Sequence, residues 1–480
     1  MIASEQKLSV LEKVGYSLGD LAANLVFQTL VTYLAYFYTD IYKLDAKQAS
    51  AITFTVGLIA AFVFNPIIGA LADRTNTRWG KFRPWVLLTA VPLGIVSVYA
   101  FKATGITDKV TYAIVTYTLL LLLYAANNLP YGALSGVITG NMKERNSVSA
   151  YRFVAVMFAQ FFVQVFMLPI IMHVGNGDKA VGIEKVMLWM AIIGTIMLFI
   201  TFLTTKERIV PKPEQKSTLR QDLSDLGKNM PWFIMLVLTT LVFITLAMKG
   251  GSYVYYFNNY VNKESLANFI TPVTNAFKNL GMNFFGEDPV SAGMGLFNAG
   301  GIICMIIGIT FSKRLADKYG KRNVFEIALV ISTLFILIFY FFPPQSVGLM
   351  FTSQILHGLF YGVTIPILWA MIADVADYSE WKNNRRATAI IFSAMMVGLK
   401  AGLTIGGSLV TWILATYNYI PNITSGQTET AINGTKLLVS IFPSIPFLIG
   451  AALLFFYKIN KKMEVQIEAD LKERRTPSAP

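Results

Sequence analysis

Long apolar runs recur along the whole chain and are separated by shorter polar segments. A transmembrane helix needs about 20 mainly apolar residues, because each residue adds about 1.5 Å along the helix axis. Twelve runs reach this length, and the pattern therefore predicts an all-α membrane protein with twelve transmembrane helices. The predicted helices lie at 16–38, 48–72, 84–103, 109–138, 149–173, 184–205, 231–257, 291–312, 323–342, 346–373, 387–416 and 434–457.

The polar segments between these runs differ in their content of basic residues. Most of the 40 lysines and arginines lie in one alternating set of segments, which includes both chain ends. The other set contains lysines only. Cytoplasmic loops of membrane proteins are enriched in lysine and arginine. We therefore expect a multi-pass protein with both termini in the cytoplasm, as an even number of helices requires. The lack of a transit peptide and of structural cysteines fits the bacterial inner membrane.

Composition supports this class and argues against several others. Of 480 residues, 55% are hydrophobic and 14% are charged, whereas soluble domains contain roughly 25% charged residues. The net charge of +13 is spread between apolar runs rather than gathered in a basic patch, so we expect no nucleic-acid partner. A single cysteine, Cys304, and two distant histidines provide no disulfide and no metal site. We find no catalytic motif and no phosphate-binding loop, and we expect no enzyme activity and no cofactor.

The twelve helices divide into two halves. We predict one six-helix bundle over 1–205, a cytoplasmic linker over 206–230 and a second bundle over 231–457, followed by a cytoplasmic tail over 458–480. An acidic-basic-glycine-basic signature recurs at matching inner loops of both halves, as in transporters with repeated halves. Candidate gating charges in these loops are Asp73, Arg74, Arg78, Asp317, Arg322, Asp374, Asp377 and Arg386. The outer insertion at 261–290 has helical spacing of apolar residues and suggests a short interfacial helix or a loop.

Four charged residues lie within or near the apolar runs: Asp20, Arg152, Lys249 and Lys400. A charge inside the membrane costs roughly 2.5–3.5 kcal/mol or more and usually faces a cavity. These residues are therefore candidates for function. The alternative is a charge pair that locks the two halves together.

Amides and aromatic residues accompany these charges. The first helix contains Asn24, and the fourth contains Tyr124 and Asn128, with Pro130 expected to break that helix. Amides and charged groups bind hydroxyls, whereas aromatic faces cover apolar surface. The combination suits a polyhydroxylated ligand. The alternative is that the amides bond between helices and the aromatics line the membrane interfaces.

Several longer motifs resemble those of the glycoside–pentoside–hexuronide:cation symporters, the melibiose permease-like branch of the major facilitator superfamily. The resemblance spans both halves in order. It rests on residues 36–40 (YFYTD), 65–69 (NPIIG), 78–85 (RWGKFRPW), 151–153 (YRF), 255–257 (YYF) and 373–382 (ADVADYSEWK). It implies two six-helix bundles, a central sugar site and cation-driven alternating access. A monomer is the expected assembly.

The resemblance also implies roles for individual residues. Arg152 matches the sugar-binding arginine of the fifth helix, and Lys400 matches the lysine of the eleventh. The acidic sugar-binding position of the first helix corresponds to Asn24, so Asp20, one turn earlier, is the candidate substitute. Tyr124 and Asn128 match sugar-contacting positions of the fourth helix, together with Gly132, where melibiose permease has an aromatic residue.

The second helix departs from the family pattern. Sodium-coupled members have two aspartates at the positions of Ala61 and Asn65. An amide supplies an oxygen ligand but no charge to balance a sodium ion. We therefore expect coupling to a proton rather than sodium, with Asp20 as the candidate carrier and Asn65 as the remnant of the cation site.

The predicted function is import of a sugar or glycoside by symport with a cation. An uncoupled sugar facilitator and a lipid or lysolipid transporter of the same fold are the alternatives. A membrane receptor would need a signalling domain, for which the tail is too short.

Overall fold

The computed structural model describes residues 7–139, 141–209, 229–383, 388–421 and 426–475. Twelve of its helices are long and apolar enough to cross a membrane, as the apolar runs predict. We call them spans 1 to 12. They comprise Val10–Ile41, Ala46–Arg74, Arg83–Ala100, Lys109–Ile138, Lys143–Val165, Lys179–Thr204, Met230–Asn259, Pro289–Tyr319, Lys321–Phe341, Val347–Lys382, Ile391–Thr416 and Glu429–Leu454.

Polar residues at the ends of the apolar runs fix where several spans begin. Asp45 accepts a hydrogen bond from the backbone N–H of Lys47 at 2.8 Å. Asp178 likewise accepts a hydrogen bond from the backbone N–H of Ala180 at 2.8 Å. Such side chains satisfy N–H groups that have no partner within the first helical turn. The spans therefore extend past their apolar cores into polar sequence.

Several spans depart from regular α-helix. Span 1 ends in a π-helical turn at Phe37–Ile41. Span 2 contains another at Ala60–Phe64, between the helices Ala46–Ile59 and Asn65–Arg74. Span 9 ends in a 3₁₀ turn, Ile338–Phe341, and span 12 consists of helices Glu429–Val439 and Ile441–Leu454. The helix of span 5 begins at Met142, and a short helix, Met167–Val174, follows it.

Pro130 does not break span 4, contrary to the sequence-based expectation. The helix Lys109–Ile138 is continuous, with Pro130 inside it. Membrane helices tolerate proline because neighbouring helices and local adjustments compensate for the lost hydrogen bond.

Contacts divide the chain into two compact units. The first comprises Met1–Pro213 together with Leu266–Leu296 and Leu414–Gly426, and the second contains the remaining segments. The division into halves at 205 and 230 stays a prediction, and residues 210–228 of the linker lie outside the described residues. In the first unit, span 1 packs against spans 5 and 6, and span 3 packs against spans 4 and 6.

In the second unit, a row of glycines brings spans 7 and 11 together. A Cβ added at Gly402 would meet the carbonyl oxygen of Thr240, and one added at Gly406 would meet that of Ile244. From Gly402 to Gly406 on span 11, the contact moves from Thr240 to Ile244 on span 7. Residue numbers therefore rise in the same direction along both helices, and the two helices run parallel. Small residues permit this close approach of backbones in membrane helices.

The segment 261–290, predicted to be an outer insertion, contains a helix, Lys263–Asn279. Leu266 and Ile270 are buried on one side of it, whereas Phe269 and Val273 are exposed. Beyond this helix, Phe285 is buried and its ring centroid lies 5.8 Å from that of Phe166 in the first unit. The insertion is therefore packed structure rather than a loop.

The tail also forms a helix, Lys461–Arg475, which we call the tail helix. Its Asp470 accepts a hydrogen bond from the indole of Trp381 at 2.7 Å, and Lys461 donates to the carbonyl of Asp317 at 2.7 Å. The tail helix is thus bound to the ends of spans 8 and 10 in the second unit. Residues 476–480 lie outside the described residues.

Candidate functional site

Two of the predicted charges form an ion pair within the first unit. Arg152 Nε donates to Asp20 Oδ2 at 2.8 Å. The Asp20 side chain is 7% exposed and that of Arg152 is 29% exposed. Asn24 lies one turn after Asp20, and its amide donates to Asp20 Oδ1 at 3.2 Å and to the Asp20 carbonyl at 2.9 Å. The pair joins spans 1 and 5 of the same half, so it is not the lock between halves that the sequence left open.

A pair of tyrosines supports this ion pair. Tyr16 and Tyr131 stack with ring centroids 4.6 Å apart, and each hydroxyl donates to the backbone carbonyl of the other residue. The guanidinium carbon of Arg152 lies 5.6 Å from the Tyr16 ring and 5.5 Å from the Tyr131 ring. Cation–π attraction at this range favours the charged guanidinium. The sequence analysis did not single out Tyr16, since tyrosine is common in membrane helices.

Span 4 places the remaining predicted sugar contacts on the same unit. The ring of Tyr124 stacks on that of Phe27 of span 1, with ring centroids 6.3 Å apart. Tyr124 also interacts electrostatically with Asp20. Asn128, one turn later, is partly exposed, and its side chain has no hydrogen-bond partner among the described residues. No atom lies within 4 Å of a Cβ added at Gly132. Asp20, Asn24, Tyr124 and Arg152 are therefore linked, with open space beside them on span 4.

Lys400 lies on span 11, in the second unit. It is partly buried, and no carboxylate of the described residues pairs with it. Among the described residues, no carboxylate therefore balances an ammonium at this position of the span.

The predicted remnant of the cation site lies at the π-helical turn of span 2. Ala61 is 2% exposed, and the Asn65 amide makes only a long contact of 3.5 Å to the Ala61 carbonyl. The described residues contain no group of three or more carboxylates, histidines or cysteines that could hold a metal ion. Local π-turns are frequent at functional sites, but this one supplies no carboxylate.

In the first unit, the backbone of the predicted inner loop after span 2 surrounds a carboxylate that the sequence analysis missed. Glu207 accepts hydrogen bonds from the backbone N–H groups of Lys81, Phe82 and Arg83 at 2.8, 2.7 and 2.9 Å. The Lys81 ammonium lies 3.2 Å from Asp73. Gly80 has φ of +110°, and a Cβ there would meet the Glu207 carboxylate. The tryptophan-glycine-lysine loop is therefore shaped to bind Glu207. The guanidinium of Arg78 lies over the Trp79 ring, 4.8 Å from its centroid. Among the described residues, none of these contacts involves Arg74.

In the second unit, Lys321 is the centre of the inner-loop charges. Its ammonium lies 2.6 Å from Asp374 and 3.7 Å from Glu464 of the tail helix. Burial raises the pKa of the Glu464 carboxyl above its usual value, with Lys321 acting in the opposite direction. Arg322 donates to the Phe455 carbonyl at 3.3 Å. Asp317 and Asp377 line a cavity of about 710 Å³ beside the tail helix, whereas Arg386 lies outside the described residues.

Comparison with known proteins places this arrangement in a family. A model of the family described as MFS/sugar transport protein matches residues 15–287 and 276–461. The chain belongs to this family. It is a multi-pass membrane transporter and not an enzyme, as the family resemblance of its motifs predicts.

Curated relatives match over nearly the whole chain. The inner membrane symporter YicJ of Escherichia coli is 34% identical, over 93% of this chain and 91% of that protein. The putative glycoside/cation symporter YagG of the same organism is 31% identical, over 96% of this chain and 94% of that protein. The isoprimeverose transporter of Lactiplantibacillus pentosus is 29% identical, over 96% and 91%.

Solved structures confirm the fold. The nucleoside transporter NupG matches with a TM-score of 0.61 at 15% identity, over 94% of this chain and all of that chain. A bacterial homolog to the human lysosomal transporter Spinster matches with a TM-score of 0.63 at 15% identity, over 98% of this chain and all of that chain. At this identity the likeness concerns the fold alone. The all-α fold of the major facilitator type is thereby confirmed.

Proposed function

We propose that the protein imports a sugar or glycoside across the inner membrane by symport with a cation, as a monomer and by alternating access. The observation that carries this proposal is the Asp20–Arg152 pair, a charged pair with nearby unsatisfied polar groups inside the membrane spans. The names of the relatives YagG and isoprimeverose transporter support the glycoside as substrate class.

A polyhydroxylated ligand matches the groups that surround this pair. The Arg152 guanidinium has five N–H donors, and only its Nε is engaged with Asp20. Asn128 offers an amide with both donor and acceptor capacity, and the ring of Tyr124 offers an apolar face. Hydroxyl groups of a sugar would bind the guanidinium and the amide, while the C–H surface of the sugar packs on the aromatic ring.

The same pair provides a route to proton coupling. In the unliganded pair, Arg152 compensates the Asp20 carboxylate. A sugar hydroxyl that binds the guanidinium competes with this carboxylate and leaves it less compensated, which favours its protonation. Sugar binding and proton binding at Asp20 then assist each other, as linkage requires.

Sodium is the less favoured coupling ion. A hard cation prefers oxygen ligands that include carboxylates, and Ala61 and Asn65 supply none. A neutral amide beside a buried alanine does not balance the charge of a desolvated sodium ion.

The direct test is the change of external pH when sugars are added to vesicles that contain the protein. A panel of monosaccharides, disaccharides and glycosides is compared with a lysolipid. External alkalinisation with one sugar, lost in Arg152→Ala but retained in Lys143→Ala, supports proton–sugar symport. Lys143 provides a matched control because it is an exposed charge on the same span. Sugar entry without a pH change would favour the uncoupled facilitator, and movement of the lysolipid alone would favour the lipid transporter.

The role of Asp20 is tested separately. Asp20→Asn keeps a hydrogen-bond acceptor for Arg152 but does not carry a proton. We expect sugar exchange to continue while accumulation under an imposed pH gradient falls. Accumulation that remains intact in this variant would exclude Asp20 as the carrier.

A further inference from the structure

A second buried titratable cluster lies in the second unit, on the side of span 7 that faces span 10. Lys249 of span 7 is 6% exposed, and no carboxylate of the described residues pairs with it. Its ammonium lies 5.6 Å from the ring of Tyr253, one turn later. An unpaired ammonium in such a position is costly. We therefore interpret Lys249 as a functional residue whose role differs from that of the Asp20–Arg152 pair.

Span 10 contributes a histidine to this cluster. The Tyr253 hydroxyl donates to Gln354 Oε1 at 3.0 Å. His357, one turn after Gln354, is 5% exposed and lies within electrostatic range of Lys249. The cluster thus contains two groups that gain positive charge on protonation, and their contacts with the described residues supply no negative charge.

The surroundings of His357 leave one of its ring nitrogens able to exchange a proton. Nδ1 lies 3.1 Å from the Ser332 carbonyl and 2.8 Å from the Ser332 hydroxyl on span 9. A carbonyl only accepts, so the hydrogen of the neutral ring is favoured on Nδ1. The opposite nitrogen, Nε2, is then the atom that gains and loses a proton. On the remaining side, the ring stacks on Tyr361 with centroids 5.8 Å apart.

Within the described part of the chain, the groups in contact with this cluster are polar or aromatic and not acidic. Span 7 supplies the phenol of Tyr253, span 10 supplies Gln354 and the phenol of Tyr361, and span 9 supplies Ser332. Two like charges in a desolvated site oppose each other, and their protons bind as a coupled pair. The buried pair therefore does not hold two positive charges at once.

We propose that Lys249 and His357 form a proton-binding site of the second unit that binds and releases one proton in each transport cycle. The proton comes from water on one side of the membrane and returns to water on the other, at Lys249 Nζ or His357 Nε2. This inference rests on the proposed proton-coupled sugar transport. It adds a site to that function and leaves the roles of Asp20 and Arg152 unchanged.

The deciding variant is Lys249→Arg. A guanidinium remains charged in proteins and does not release its proton, so this variant keeps a cation beside Tyr253 but abolishes proton exchange. For the unaltered protein, a one-unit pH gradient supports about tenfold sugar accumulation for each coupled proton. We expect Lys249→Arg to lower the accumulation ratio by about tenfold while exchange of labelled sugar at equal pH continues. Lys278→Arg, at an exposed position of the outer helix, is the matched control.

Other outcomes contradict the proposal. If Lys249→Arg accumulates sugar as the unaltered protein does, positive charge alone is required at this position. The double variant Lys249→Gln/His357→Gln, with neither titratable group, is the second test. Exchange that continues while the accumulation ratio falls by about tenfold supports the site. Normal accumulation overturns it, as does loss of exchange in both variants at unaltered thermal stability. If the unaltered protein exchanges no sugar, the proposed function has failed rather than this site.

Discussion

The ion pair in the first unit allows a quantitative test of how its charges are stabilised. In Arg152→Ala, the Asp20 carboxylate, 7% exposed, retains only the Asn24 amide at 3.2 Å as a side-chain partner. Removal of one partner from a buried ion pair costs about 3–5 kcal/mol. The Arg152 side chain is 29% exposed, so water screens its charge in part. We therefore expect the free energy of unfolding to fall by about 3 kcal/mol, at the low end of this range.

The reciprocal variant, Asp20→Asn, should destabilise the protein less than Arg152→Ala does. Asp20→Asn removes the buried charge, and its amide oxygen can still accept a hydrogen bond from Arg152, which reaches water. We expect a loss of about 1 kcal/mol, the value of an ordinary hydrogen bond. The double variant Asp20→Asn/Arg152→Ala leaves no unpaired charge. It should therefore be more stable than Arg152→Ala alone, by about 2 kcal/mol.

The assay is unfolding of the purified protein in mixed micelles of dodecyl maltoside and sodium dodecyl sulfate, followed by tryptophan fluorescence. The four proteins form a double-mutant cycle, from which the coupling energy between the two side chains is obtained. If the losses of the two single variants simply add in the double variant, the side chains are not coupled. The interpretation of the pair as mutually compensating charges would then be wrong.

Three further predictions concern other parts of the molecule. Gly402→Ala should destabilise the protein by about 1–3 kcal/mol in the same assay, because its methyl group meets the backbone of span 7; Gly407→Ala, where a Cβ meets nothing within 4 Å, should be tolerated. An imposed sodium gradient at constant pH should drive no sugar accumulation, because Ala61 and Asn65 lack carboxylates; accumulation would contradict the reasoning. Since the pKa of Glu464 is raised by burial in the folded protein, docking of the tail helix should strengthen as the pH falls through that raised value and weaken above it. The protection factors of 461–475, which are exchange rates corrected for the intrinsic pH dependence of amide exchange, should therefore rise on acidification in the unaltered protein, and Glu464→Gln should abolish this rise.

Much of the fold was predictable because the membrane imposes a simple requirement on sequence. Every spanning segment must satisfy its own backbone hydrogen bonds and present apolar side chains to lipid. The twelve apolar runs therefore correspond to twelve helices. Boundaries were less predictable: the helix of span 5 begins at Met142 rather than 149, because Asn141 caps it through the N–H groups of Lys143 and Glu144.

The candidate site was only partly predictable. A charge within an apolar run is visible in the sequence, so Asp20 and Arg152 could be singled out. Their pairing across 132 positions was not predictable, because it depends on how spans 1 and 5 pack. Glu207 was missed for the same reason: a carboxylate in a polar segment resembles any other until the Lys81 loop folds around it.

The most direct test of the central proposal is the external pH of vesicles that contain the protein, recorded as each member of the sugar panel is added. We predict alkalinisation with at least one sugar or glycoside, abolished by Arg152→Ala and retained in Lys143→Ala. If no sugar changes the pH and no radiolabelled sugar enters the vesicles, proton-coupled sugar transport is contradicted.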